Sequence, residues 1–160
     1  MKPAITIRKK VAGLIFLLIL GVIGSMTGGC GTEGIVPDGS TLSVDPVSTT
    51  LTNVTVDTAV DFKVIARYAD GSPIPYAKVK IEGSFAAPNA VNAYQFYYYP
   101  GGAKNPNNVA VDSGFTGQTD EFGIYRFSAN VFGSATGFND DINISSGTAS
   151  TKATLILEFK

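Results

Sequence analysis

This sequence has no histidine, no tryptophan and a single cysteine in 160 residues, and only 16% of it is charged. Each shortage closes off some chemistry. Without His the usual general base at neutral pH is missing, together with the commonest ligand of zinc, copper and iron. A Ser–His or Cys–His nucleophile cannot be assembled. No catalytic residue and no cofactor is therefore expected, and the chain reads as a non-enzyme. One cysteine allows neither an internal disulfide nor a CxxC site. At 44% hydrophobic residues the composition is too apolar for a chain that stays unfolded. The length has room for one domain, two at most.

Basic and acidic residues nearly balance, 12 against 13, but they are unevenly placed. Lys2, Arg8, Lys9 and Lys10 all fall in the first ten positions. From residue 30 onward eight basic groups face thirteen acidic ones, a formal net charge of −5. A domain of that sign lacks the Lys/Arg surplus that neutralises phosphates, so nucleic acid is not an expected partner.

The basic start leads into Val11–Gly24, an unbroken apolar stretch, and then into Ser25-Met26-Thr27-Gly28-Gly29-Cys30. Charge, then apolar residues, then small residues is the layout of a secretory signal peptide. The 14 apolar residues fall short of the ~20 that a helix needs to cross the hydrocarbon core of a bilayer. Thr27-Gly28-Gly29-Cys30 also resembles the lipobox of bacterial lipoproteins. That resemblance implies a diacylglycerol on the Cys30 sulfur, cleavage between Gly29 and Cys30, and a fatty acid such as palmitate on the new amine. Lipidation accounts for a lone cysteine that would otherwise be an exposed reactive thiol in an exported chain. Thr27 stands where the family favours Leu. Gly31, in place of the Asp that favours inner-membrane retention, implies a bacterial outer-membrane location. The expected organisation is a signal peptide over 1–29, a lipidated Cys30 with a flexible tether over 30–41, and a folded domain over 42–160. The tether assignment rests on Gly, Ser, Thr and Pro without periodicity.

The remainder reads as strands. Val60, Phe62, Val64, Ala66 and Tyr68 alternate with Asp61, Lys63, Ile65 and Arg67, the period of a half-buried antiparallel strand. The same alternation recurs at Ala77, Val79 and Ile81, at Tyr125, Phe127, Ala129 and Val131, and at Ala153, Leu155, Leu157 and Phe159. Weaker strand signals lie at Leu42–Val47, Tyr94–Tyr99, Val109–Thr116 and Ile142–Ser146. Val64, Val79, Phe127 and Leu157 are the expected core. Seven or eight short strands separated by Gly, Pro, Asn and Asp predict an all-β antiparallel sandwich.

Ala69-Asp70-Gly71-Ser72-Pro73-Ile74-Pro75-Tyr76-Ala77-Lys78-Val79-Lys80-Ile81 resembles the B–C corner of bacterial immunoglobulin-like domains of the invasin/intimin type. Thr119-Asp120-Glu121-Phe122-Gly123-Ile124-Tyr125-Arg126-Phe127 is similar to that family's E–F corner. Asp70 and Asp120 are placed to cap their turns, and Gly71 and Gly123 to supply positive φ. A transthyretin-like sandwich, which uses a similar Thr-Asp-x-x-Gly-x-Tyr corner, is the alternative topology. The 37 residues from 82 to 118 exceed a simple connection and read as an insert, with 84–118 as its body.

Candidate sites follow from this frame. On a strand, Tyr94, Phe96 and Tyr98 share one face while Tyr97 and Tyr99 share the other. Such a strip suits sugar stacking or a protein interface, or it is simply covered core. Asp140 and Asp141, read as part of a polar loop and approached by Asp112 or Asp120-Glu121, are weak candidates for holding Ca²⁺. The spacing lacks any calcium-loop pattern, so no metal is assigned. The expected function is that of a lipid-anchored cell-envelope protein whose immunoglobulin-like domain mediates protein–protein interaction or adhesion at the cell surface. The alternatives are a carbohydrate-binding module using Tyr94–Tyr99 and an architectural subunit of an envelope complex. The expected partners are the membrane through the lipid, an envelope protein, and on the alternative reading a glycan.

Overall fold

The computed structural model describes residues 34–99 and 109–160; the signal segment, Gly29 and Cys30 lie outside the described residues. Ten strands are present among them, stacked as two five-stranded sheets. The first sheet runs in the order β1 (Thr41–Asp45), β3 (Thr58–Arg67), β8 (Ile124–Val131), β5 (Tyr94–Tyr98) and β6 (Val109–Val111). The second runs β2 (Ser48–Thr52), β10 (Ala149–Glu158), β9 (Phe138–Ser146), β4 (Lys78–Gly83) and β7 (Gly114–Gln118). Read as A-B-E-D against A′-G-F-C, this is the strand order of an immunoglobulin-like sandwich. The β7 edge departs from it by following β5 and β6 in sequence.

Alternation built the sandwich as the residue pattern requires. Val60, Phe62, Val64 and Ala66 of β3 are buried, as are Val79 and Ile81, the Tyr125–Val131 row, and Ala153, Leu155 and Leu157. Tyr68 and Phe159, which continue two of these rows, lie past the strand ends and are exposed. The interior is rich in rings. Phe127 stacks on Phe62 at 5.2 Å between centroids and meets Phe96 and Phe115 edge-on at 5.9 and 5.7 Å. Offset and edge-to-face pairs of this kind add to area burial.

Several expectations are corrected. There are ten strands, not seven or eight, and β2 pairs with β10 in parallel. The Leu42–Val47 signal stops at Pro46, which has no N–H to donate to a ladder; the chain then crosses to the other sheet as β2. Residues 84–118 are not an insert. They supply β5, an interior strand between β8 and β6, and the edge strands β6 and β7. The Val109–Thr116 signal divides at Asp112-Ser113 because its halves belong to opposite sheets. Gly137–Asp141 is not a polar loop, since β9 begins at Phe138.

The Ala69–Ile81 motif lies between β3 and β4, the expected B–C corner, but Thr119–Phe127 leads from β7 into β8, strand E, and is not the expected E–F corner. The two motifs form one unit. Asp70 Oδ1 accepts the Ser72 amide at 2.9 Å, and Asp120 Oδ1 accepts the amides of Phe122 and Ile124, each at 2.9 Å. Gly71 and Gly123 have φ of +85° and +71°. A Cβ on Gly123 would lie 2.5 Å from the Ala66 carbonyl oxygen, so close approach of the turns also demands glycine. Buried Thr119 joins the corners: its hydroxyl donates to the Ile74 carbonyl at 2.9 Å and accepts the Ala77 amide at 2.8 Å.

The segment expected to be a spacer packs on the domain from Gly34 onward. The Lys78 amide donates to the Gly34 carbonyl at 2.6 Å, Val36 is buried, and the Val36 amide donates to Ser146 Oγ at 2.9 Å. These residues, the 68–77 and 119–123 turns, and the Gly147-Thr148 turn together form one end of the sandwich.

Candidate functional site

The aromatic strip divides between core and surface. Tyr94 and Phe96 are buried, and half-buried Tyr98 stacks on Phe115 at 4.4 Å. Burial pushes the Tyr94 phenol up, and the Asp140 carboxylate that accepts its proton pushes it further. Tyr97 falls on the outer side of the first sheet and Tyr99 lies just past the end of β5; both are partly exposed. The Tyr97 hydroxyl accepts a bond from Gln95 Nε2 at 2.8 Å, joining the two side chains on that face.

The outward rows of β3 and β8 continue this face. Register aligns Tyr97 with Ser128 and Ser128 with Asp61, and Lys63 with Arg126. Ser128 Oγ donates to Asp61 Oδ1 at 2.6 Å, and Lys63 Nζ pairs with Asp45 at 3.0 Å. Tyr99, Arg126, Lys63, Asp61, Asp45 and Ser128 line a hollow of about 500 Å³, within the usual size of a small-ligand cleft. Charged groups of both signs, a hydroxyl and a tyrosine line it together. That arrangement can recognise a polar surface or a small polyol. It holds no nucleophile–base pair.

The acids do not converge. Asp140 and Asp141 point to opposite sides of β9 because they are sequence neighbours on a strand. Asp140 is buried and accepts Tyr94 Oη and Ser84 Oγ at 2.7 Å each, with the Phe85 and Ala86 amides at 3.0 and 3.2 Å. Asp141 faces outward, pairing with Lys152 Nζ at 2.7 Å and Thr154 Oγ1 at 2.9 Å, bonds that hold its carboxyl below the ordinary value. Asp120 is committed to its turn at the other end of the domain. No group of three or more Asp, Glu, His or Cys side chains is poised for a metal among the described residues.

The sequence reading missed three hydroxyls: Thr119 between the corners, Ser84 on Asp140, and Ser146, which donates to the Lys78 carbonyl at 2.6 Å while accepting Val36. The only advance signal was in Thr119, which opens the Thr-Asp-x-x-Gly motif.

Neither a protein-family model nor a curated protein matches this sequence. Solved structures are similar in fold only. Domains 4 and 5 of the S-layer protein SbsC share 14% identity at a TM-score of 0.46, over 73% of this chain and 50% of that one, so this chain spans half of that structure. AggA, the major subunit of aggregative adherence fimbriae type I from Escherichia coli, shares 14% at 0.41, over 79% and 99%. A conjugative transposon lipoprotein from Bacteroides eggerthii shares 10% at 0.39, over 74% and 98%.

Proposed function

We propose that this chain is a non-catalytic, lipid-anchored envelope module that binds another envelope protein through the outer face of its first sheet. The observation that carries this reading is the split of the aromatic strip. Tyr97 stands outward on β5 across from Ser128, and Tyr99, just past the strand's end, lies beside Lys63, Arg126 and Asp61. Interface hot spots combine such rings with Arg and a polar rim. Anchoring is supported by the basic, apolar and small segments that end at Cys30. An invasin-type lineage is supported by the Ala69–Ile81 motif, which sits at the B–C corner as that resemblance implies.

A photo-crosslinking residue at Tyr97, in the full chain in its native membranes, tests the interaction. A discrete adduct at 97 that is absent from position 152, on the outer face of the other sheet, supports it. Equal or no adducts at both positions refute it. Acyl labelling of wild type and Cys30→Ala tests the anchor, and label that persists without Cys30 sinks that part. The hollow beside Tyr99 favours a glycan as the second reading. A glycan array decides it: a hit abolished by Tyr99→Ala and Arg126→Ala, with melting unchanged, replaces the protein partner by a sugar.

A further inference from the structure

We infer that the end of the sandwich bearing Ile35, Tyr68, Tyr76 and Phe122 seats directly on the lipid headgroups of the membrane that holds Cys30, an inference that rests on the anchoring reading above. These four side chains are 45, 40, 56 and 62% exposed. Single exposed apolar residues are ordinary on a soluble surface. Here they emerge from adjoining segments at one end, tied together by the Ala66 amide to the Gly123 carbonyl and by Gln118 Nε2 to the Tyr76 carbonyl. Tyr in particular has a ring and a hydroxyl that suit the headgroup level of a bilayer.

Reach decides the matter between this end and the other. Only residues 31–33 separate Cys30 from Gly34, whose carbonyl is fixed to Lys78. Four residue steps span at most about 14 Å. The headgroup zone of one leaflet takes up about 6 Å of that. This end therefore stands no more than about 8 Å clear of the lipid, less than the width of one helix. The opposite end also exposes apolar residues, Val56, Val91 and Phe159, but it lies a full strand away. Asp38, Asp70, Asp120 and Glu121 share the anchored end. Their charge opposes anionic lipid, so the contact is to a zwitterionic bilayer face and works by shallow apolar insertion rather than by attraction of charge.

The test uses the mature acylated chain in phosphatidylethanolamine/phosphatidylcholine vesicles. The Cys30 sulfur is consumed by the lipid, so a cysteine introduced elsewhere is the one free thiol. Tyr76→Cys, Phe122→Cys and Ile35→Cys carry an environment-sensitive fluorophore, with Val56→Cys and Val91→Cys as controls. Only labelled proteins that melt like wild type are scored. Lipids with a nitroxide near the headgroup are expected to quench positions 76, 122 and 35 about twofold or more over positions 56 and 91. Equal quenching at both ends, or none, in protein shown to be acylated overturns the seating and leaves the anchor intact. Quenching that appears only after anionic lipid is added overturns the zwitterionic contact. A chain that takes no acyl label loses the anchor and the seating together.

Discussion

Among the described residues Asp140 is the one carboxylate buried on the core side of a strand, and the domain's stability is expected to depend on it through Tyr94. Tyr94→Phe deletes the 2.7 Å hydroxyl–carboxylate bond and leaves the ring against Phe85, Phe138 and Phe96, at 5.2, 5.7 and 5.5 Å. Hydrogen bonds to charged groups contribute roughly 1.5–3 kcal/mol, so a cost of about 2 kcal/mol is expected. Asp140→Ala strands the Tyr94 and Ser84 hydroxyls and the Phe85 amide, while the Ala86 amide keeps Ser84 Oγ at 3.3 Å. The turn is only part-buried and regains water, which holds the cost to about 4 kcal/mol rather than the full desolvation of three donors. A domain of this size has roughly 6–15 kcal/mol in hand, so both variants fold. In the double variant both partners of that bond are gone and no Tyr94 hydroxyl is left stranded, so the two costs fall short of additive by about 1–2 kcal/mol. Urea unfolding measures this by far-UV circular dichroism and by tyrosine fluorescence, which no tryptophan overlays. The midpoint is expected to move with the slope unchanged. A Tyr94→Phe cost below ~0.5 kcal/mol, or strict additivity in the double variant, refutes the assignment.

Thr119→Val keeps the side-chain shape but orphans the Ala77 amide and the Ile74 carbonyl; a loss of about 2 kcal/mol in urea unfolding is expected, with Ser in its place restoring most of it. Gly117→Ala drives a methyl into the Tyr125 ring, so about 2 kcal/mol or more of overpacking is expected, whereas Gly71→Ala meets open space and suffers only from its φ of +85°. Asp141 has its folded pKa lowered, first by the Lys152 bond and then by Thr154, so its contribution is present above the ordinary carboxylate value of 3.8 and fades as pH falls through the lowered one. Acid titration of the melting temperature is therefore expected to fall less steeply in Asp141→Asn than in wild type, and a parallel fall counts against the pairing.

The sandwich was legible wherever period-two alternation ran for four or more residues, because burying one sheet face leaves no other register for Val60–Ala66 or Tyr125–Val131. The turns were legible for a related reason: Asp and Gly at fixed offsets satisfy local backbone groups without help from the rest of the chain. What escaped was non-local. Ser48–Thr52 is a threonine-rich edge strand with no buried side chain, held by parallel pairing to β10 more than a hundred residues away. Asp140 interrupts an apolar row, and only the arrival of Tyr94 and Ser84 from distant segments turns that apparent loop signal into strand. The same limit applied to the aromatic strip. Alternation correctly separated Tyr94, Phe96 and Tyr98 from Tyr97 and Tyr99, but which set faces inward depends on β5 lying between β8 and β6, a fact of topology.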